Sequence, residues 1–439
     1  MSIISLKSEN KYFSFIISKN PESGLTAKPL RKGVLFGYYT EGDESSYNIY
    51  FKDGSDEVSF PEYEGEEFEY LNSSRYNSAS FIVSAIDEML RSAFKSNEFS
   101  TPNGIKKDSG GSMNTLFINM IKVKNKRYID AFEDYFPDFK IDEELINENN
   151  YQITIRTYKS IYELLNFTSL FGIFNAIVNN EPNFIKDENI VKYIRCMNII
   201  DAPYFLRYLF KIRFIKGMNT FNRNIEGFGV VKDELSKNKN KKIEMTFGDT
   251  WQARQMAIEE RLDFKNDVLE IGVGEGKYIT RFNRYMKNLN HYAIDIDNEV
   301  IEEAKRRVNN KGLKNVYFFN STQDFLDSGN NEGIFDVILT EVIEHMSILE
   351  AESLIKLVID NVKFNKFIIT TPNADFNKNY FMEGFRHQGH VFEMSSIEFK
   401  EFINKIIKDQ SMFKVDFIDI GDLVDGDTPT QGCVIKTVE

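Results

Sequence analysis

The chain of 439 residues holds only two cysteines, Cys196 and Cys433. Two cannot build a disulfide framework or a four-cysteine zinc site, and the expected compartment is reducing and cytoplasmic. Histidine is equally scarce. The four are His291, His345, His387 and His390, so any histidine-dependent chemistry belongs to the second half. The start, MSIISLKSENKYF, lacks the apolar core of a secretory signal. No run reaches the roughly 18–20 apolar residues that span a bilayer, and no membrane partner is expected. Positive charge is also short: 54 Lys and Arg against 67 Asp and Glu give a formal net charge of −13. That excludes a global attraction to nucleic-acid backbone, but not a local contact at one chain end. There is no internal repeat.

What is present is a foldable composition. At 42% hydrophobic and 28% charged residues, the chain is a soluble, folded protein, and its length suggests two or three domains. KYFSFIISK, GVLFGYYT and SYNIYF read as strands. An acidic run, PEYEGEEFEY, follows, and then Ser80–Phe94 shows helical spacing. Thr101–Ser112 reads as turns or a mobile loop, and Lys159–Gly217 as mostly helical. This half is α+β. The polar, lysine-rich SKNKNKKIE, from Ser236 to Glu244, reads as a solvated linker. The expected division is 1–236, a linker over 237–250, and 251–439.

From Trp251 the pattern becomes α/β. WQARQMAIEERL reads as a helix. DVLEIGVGEG, HYAIDID, NVYFFN, IFDVILTEVIEH and KFIITTPN are short β-rich runs separated by helical stretches. Such alternation predicts βαβ units and a mostly parallel sheet. FKVDFIDI and GCVIKTV, joined by a turn-rich segment, add a terminal antiparallel pair.

In DVLEIGVGEG, Gly272, Gly274 and Gly276 follow a strand. The spacing is neither the GxGxxG dinucleotide fingerprint nor a P-loop, because no GK[ST] follows. A tight GxGxG turn suits a small adenosine ligand without a pyrophosphate. Asp295 and Asp297 end the next strand, where a carboxylate can accept both hydroxyls of an adenosine ribose. Glu270 is placed for the ligand's amino-acid portion and Asp324, beyond the third strand, for its adenine. Thr340, at the end of the fourth strand, completes the cofactor-side candidates. His291 opens the second strand and reads as structural.

The sharpest local signal is TEVIEHM. Spacings of three and four would put Glu341, Glu344 and His345 on one helical face, where carboxylates and an imidazole can converge on Mg²⁺, Mn²⁺ or Fe²⁺. RHQGH follows the fifth strand, so His387 or His390 can meet His345 across the strand ends. With His390 as fourth ligand, two octahedral positions stay open for the vicinal hydroxyls of a ribose. A divalent ion lowers the pKa of such a hydroxyl, and His387 could remove its proton. Arg386 could fork onto a terminal phosphate. Asn373 and Asn377 could orient substrate or loop.

Together VLEIGVGEG, AIDID, LTEVIEH, TTPNADFN and FRHQGHVFEMSSIEF resemble the bacterial branch of the small-RNA 3′-terminal 2′-O-methyltransferases, over about Trp251 to Val438. NPESGLTAKPLRKGVLFGYYTE and YLNSSRYNSASFIVSAI resemble the same branch's amino-terminal domain. The resemblance implies a Rossmann-like class I methyltransferase domain with a mixed seven-stranded sheet, preceded by an α+β domain that engages and activates a ligase. It implies methyl transfer from S-adenosylmethionine to the 2′-OH of the 3′-terminal ribose of RNA, with Mn²⁺ favoured. Glu341, Glu344, His345 and His390 correspond to the metal ligands and Asp295 to the acid on the cofactor ribose. The implied partners are the 3′ end of a cleaved RNA, such as tRNA, and a polynucleotide kinase-phosphatase/ligase repair protein. The chain departs from the family pattern at Glu270, Val273 and Gly389, where Asp, Cys and Asp are usual. A methyltransferase for a small molecule or protein would keep the glycine loop without needing the four metal ligands to converge. A non-catalytic repair scaffold would bind cofactor without metal-dependent activity.

Overall fold

Alternate side chains are buried along 114–118 and 151–157, within strands Asn114–Lys122 and Asn150–Thr157, as a strand with one face on the core requires. These strands belong to an antiparallel sheet of seven. Its order is Thr26–Leu30, Gly33–Thr40, Asp43–Asp53, Ser2–Ser8, Asn114–Lys122, Asn150–Thr157 and Lys140–Asn147. Helices Ala79–Met89 and Ile161–Val178 pack on each other in the same unit. The structure, a computed structural model, describes residues 2–30, 33–53, 77–179, 187–217, 225–380, 382, 384–408, 410 and 412–438. The acidic run at 61–70 lies outside them.

The chain divides into two compact units, Met1–Gly217 and Met218–Glu439. The first is α+β, as expected, with two differences. KYFSFIISK contains a helix, Phe13–Ile16, rather than a strand, because Phe13, Ile16 and Ile17 bury together at helical spacing. Thr101–Ser112 takes the turn reading rather than the mobile-loop one: Glu98–Thr101 pairs with Gly104–Lys107 in a hairpin. Helix Ile161–Val178 has the length and hydropathy to cross a membrane, although no such run was expected. Its most apolar window is 83% buried, so its side chains serve as core. Cys196 and Cys433 are both free and buried.

The second unit begins earlier than its motifs suggest. Segment 237–250 is built into it. Ile243–Glu244 pairs with Leu423–Val424. Ile243 and Met245 are buried, and Asp422 and Asp425 accept from the amides of Thr246 and Lys242. Two apolar residues within a lysine-rich run were too brief a signal to read as a strand.

The second sheet is mixed and seven-stranded. Its order is Val316–Phe319, His291–Ile294, Asp267–Ile271, Phe335–Thr340, Phe364–Pro372, Thr430–Thr437 and Phe413–Ile420. The first five are mutually parallel, and Thr430–Thr437 runs antiparallel to both neighbours. Leu269, Ile271, Val337, Leu339 and Ile369 fill the core on one face. Val268, Ile338 and Ile368 pack with Ile258, Tyr278 and Phe282 on the other. Strand order reverses between Asp267–Ile271 and Phe335–Thr340, so the crevice beyond their carboxyl ends is where such a sheet holds a ligand. This is the class I methyltransferase arrangement.

Candidate active site

Strand Asp267–Ile271 ends in the glycine turn, which enters helix Lys277–Phe282. Gly272 has φ of 80°, and a Cβ there would lie 2.2 Å from Val342 Cγ2. Glycine at 272 therefore lets the turn rest directly on the segment that carries Glu341 and Glu344. Asp295 supports the turn: its Oδ2 accepts from Gly274 N at 2.9 Å and its Oδ1 from Asp297 N at 3.1 Å. A carboxylate has about four lone-pair sites, so Asp295 keeps acceptor capacity for a ribose. Asp297 does not stand free beside it. Its Oδ1 caps helix Asn298–Asn310, accepting from Glu299 N and Val300 N. Asp324 is exposed in the first turn of helix Thr322–Asp327, beyond the third strand. Thr340 is buried at the end of its strand.

Glu270 is almost wholly buried, and its Oε2 lies 2.7 Å from Nε2 of the equally buried His291. Burial pushes its carboxyl above the usual range, and the His291 hydrogen bond opposes that shift. Glu270 Oε1 and His291 Nδ1 have no hydrogen-bond partner among the described residues. His291 is thus buried within the sheet and bonded to a residue expected on the cofactor side.

The turn after strand Phe335–Thr340 is not the helical face that the spacing suggested. Glu341 sits at φ of 55°, in the left-handed region, and Ile343–His345 is a 3₁₀ turn. The reversal at Glu341, rather than an α-helical repeat, sets the directions of its side chain and of Glu344. Glu341 Oε1 accepts from Thr370 Oγ1 at 3.1 Å, and its Oε2 pairs with the buried Arg254. Glu344 is fully buried. Its Oε2 accepts from Thr371 Oγ1 at 3.1 Å, and its Oε1 has no partner among the described residues. Burial, and then the Glu341 carboxylate, push Glu344 well above the ordinary carboxylate range.

The RHQGH loop docks on this turn through Val391 N donating to Glu344 O at 2.7 Å. One ring nitrogen from each of His345, His387 and His390 then lies within 4.8 Å of the others. Their hydrogen bonds distinguish them. His345 Nδ1 lies 3.0 Å from Gly389 O, and His390 Nδ1 lies 2.5 Å from Glu393 Oε1. A ring that donates from Nδ1 leaves the Nε2 lone pair for a metal, and a carboxylate behind the imidazole is the usual support for a ligating histidine. His387 is opposite: its Nδ1 accepts from Gly389 N at 3.0 Å. The neutral ring then carries its proton on Nε2 and offers a donor, where the base reading needed a lone pair. Gly389 fits between these rings because a Cβ would come within 3.1 Å of His387 Nδ1 and 3.3 Å of His345 Nδ1.

Arg386 is a brace of the same loop. Its Nε donates to Asn377 Oδ1 at 2.6 Å, and its terminal nitrogens donate to the carbonyls of Pro429 and Asn373. The fork expected for a phosphate is engaged with the protein. Asn377 orients the loop, donating to Glu393 Oε2 at 2.6 Å. Glu393 is held below its usual range: burial works against this, but hydrogen bonds from Asn377, His390 and Arg386 N outweigh it.

Of the expected metal ligands, the structure brings His345 and His390 together, with His387 as the third ring. Glu344 adjoins them in sequence with an unsatisfied oxygen, while Glu341 is turned onto Arg254. Two imidazoles that keep Nε2 open, in a group of three rings, suit a borderline divalent ion, and the buried, unpartnered Oε1 of Glu344, next to His345 in sequence, is a candidate oxygen ligand. Sequence reasoning missed Arg254, Thr370, Thr371 and Glu393. Only Glu393 had a legible signal, standing three residues after His390. The threonines stand at the end of the β-rich run KFIITTPN, which carries no signal of its own for a contact with a carboxylate.

Residues 3–232, more than half of the chain, match the Hen1 N-terminal domain, and residues 268–363 match a methyltransferase domain. A chain in the solved structure of the Pnkp1/Rnl/Hen1 RNA repair complex is 28% identical, with a TM-score of 0.81. That match covers 99% of this chain and 100% of the other. The small RNA 2′-O-methyltransferase of Schizosaccharomyces pombe is 27% identical over 200 residues, 36% of this chain and 49% of the relative. That of Tetrahymena thermophila is 23% identical over 191 residues, 39% of this chain and 45% of the relative. The chain spans about half the length of these curated relatives.

Proposed function

The chain belongs to the Hen1 family, and from that premise we propose that it transfers a methyl group from S-adenosylmethionine to the 2′-OH of the 3′-terminal ribose of RNA. The observation that carries this reading is the group of three imidazoles, His345, His387 and His390, with ring nitrogens within 4.8 Å of one another and with His345 and His390 held through Nδ1 so that Nε2 is left open. A methyltransferase for a small molecule or protein has no need of that constellation at the end of the glycine-loop sheet.

The reaction joins the ribose 2′ oxygen to the methyl carbon, breaks the sulfur–carbon bond and releases the hydroxyl proton to solvent at the exposed mouth. The glycine turn and Asp295 hold the adenosine, and Glu270 faces the amino-acid portion. His345, His390 and Glu344 would hold a divalent ion, Mn²⁺ or Mg²⁺, with Glu341 joining them if it leaves Arg254. When bound, that ion supplies Lewis acidity toward the ribose hydroxyls. Thr371 and Glu393 orient Glu344 and His390, whereas Glu341 has to turn from Arg254 to join them. His387 donates from Nε2 toward the ribose oxygen.

We further assign the reaction to RNA repair, at the 3′ end of a cleaved RNA such as tRNA. The whole-length likeness to a chain of the Pnkp1/Rnl/Hen1 complex supports a kinase-phosphatase/ligase partner, engaged by the first unit. The two free, buried cysteines fit a reducing, cytoplasmic setting. The test is methyl transfer to a short RNA with a free 3′-terminal ribose, with and without Mn²⁺, against the same RNA ending in 2′-deoxyribose. Metal-dependent labelling of the first alone is expected. Equal labelling of both sinks the 2′-hydroxyl assignment.

A further inference from the structure

Glu270 and His291 lie on neighbouring parallel strands, and the register sets Val268 opposite His291 and Ala293 opposite Glu270. Side chains two apart on a strand share a face, so Glu270 and His291 meet as diagonal neighbours. Both are about nine-tenths or more buried, at 1% and 2% exposure. A buried carboxylate is costly unless hydrogen bonds satisfy it. His291 satisfies one oxygen at 2.7 Å, and with an ionised carboxylate its Nε2 carries the proton. The other oxygen, Oε1, has no partner among the described residues. Among the described residues, the other ionisable groups that act on or feel Glu270 are Asp295, whose charge raises its pKa, and Tyr278, and neither is a cation. Glu270 stands on strand Asp267–Ile271, two residues before Gly272 of the turn.

We propose that His291 is a positioning residue for cofactor recognition: it anchors one oxygen of Glu270 so that the other is presented to the α-ammonium of the cofactor's amino-acid portion. This rests on the cofactor reading given above. Without the imidazole donor, Glu270 loses the hydrogen bond that opposes its neutralisation by burial, and with it the charge that complements an ammonium. The pair thus recognises the amino-acid end of the ligand, independently of the adenosine held by Asp295 and the glycine turn.

The experiment is calorimetric binding to the full chain of two ligands: S-adenosylhomocysteine, which has the ammonium, and 5′-methylthioadenosine, which lacks it. His291→Leu is expected to weaken the first about tenfold, or about 1.4 kcal/mol, and to leave the second within about twofold. His291→Gln, which keeps an N–H near the position of Nε2, should recover most of the loss. Equal weakening of both ligands, or no weakening of either, overturns the proposal. If His291→Leu does not fold, Glu270→Gln keeps the shape and a partner for His291 but removes the charge. The same selective loss is then expected, and unchanged homocysteine-ligand affinity overturns the proposal. Failure of the unaltered chain to bind S-adenosylhomocysteine overturns the cofactor reading itself, and the proposal with it.

Discussion

Replacing Gly272 with Ala should damage the second unit far more than the same change two residues later. Gly272 has φ of 80°, and an added Cβ would fall 2.2 Å from Val342 Cγ2. Gly274 has φ of 51°, and nothing lies within 4 Å of its Cβ position. Left-handed backbone costs a non-glycine residue about 1–2 kcal/mol at either site. The clash with Val342 adds about 1–3 kcal/mol at Gly272 only, as overpacking does in a close-packed region. Urea unfolding can read the difference because the chain has a single tryptophan, Trp251, in helix Thr250–Glu259 of the second unit. Its fluorescence reports that unit alone. At a slope of about 3 kcal/mol per molar urea, Gly272→Ala should lower the midpoint by about 1 M and Gly274→Ala by about 0.5 M. Adding Val342→Ala should recover the steric part, so the two substitutions will be non-additive by about 1–2 kcal/mol. Equal midpoints for the two alanine variants, or simple additivity with Val342→Ala, would refute the claim that the turn rests on the carboxylate-bearing segment.

Further predictions concern the metal side. Glu393→Gln should weaken Mn²⁺ binding about 10–100-fold, the range for losing a carboxylate behind a ligating histidine, while S-adenosylhomocysteine binding stays unchanged. Electron paramagnetic resonance of free Mn²⁺ checks it, and unaltered affinity would remove Glu393 from that role. Glu344 titrates above its unfolded value near 4.5, so the folded state binds more protons there. In chelator-treated protein its contribution is most favourable below about pH 4.5 and is lost as pH rises toward its folded pKa. Glu344→Gln should flatten that fall in urea midpoint. A fall of unchanged depth in the variant would assign it to another group.

Most strands of the second unit could be read from sequence because each is a short apolar run ended by glycine, acid or proline. Helix Ile348–Asn361 is one of the helical stretches between those runs, and its start is fixed by a Ser347–Glu350 capping box. The first unit was less legible where period and composition disagreed. In KYFSFIISK the aromatic and β-branched content suggested a strand, but tertiary burial of Phe13, Ile16 and Ile17 selected a helix. At the site, residue types were legible and directions were not. The i, i+3, i+4 spacing of Glu341, Glu344 and His345 held a helical reading, whereas a left-handed residue and a 3₁₀ turn set the geometry. Nor does spacing show which ring nitrogen donates. Only contacts with Gly389 and Glu393 separate His345 and His390 from His387.

The left-handed backbone of Glu341 is also a statement about selection. A non-glycine residue at φ of 55° carries about 1–3 kcal/mol of strain that its surroundings must hold in place. Glu341→Gly should release that strain and give up the contacts with Arg254 and Thr370. Glu341→Asn, whose side chain tolerates this region better than most, separates the two effects. A glycine variant that resists urea as well as or better than the unaltered chain, yet transfers no methyl group, would place Glu341 among the residues kept for activity at the expense of stability. That outcome would mean that the relief of strain at position 341 outweighs the loss of the Arg254 and Thr370 contacts.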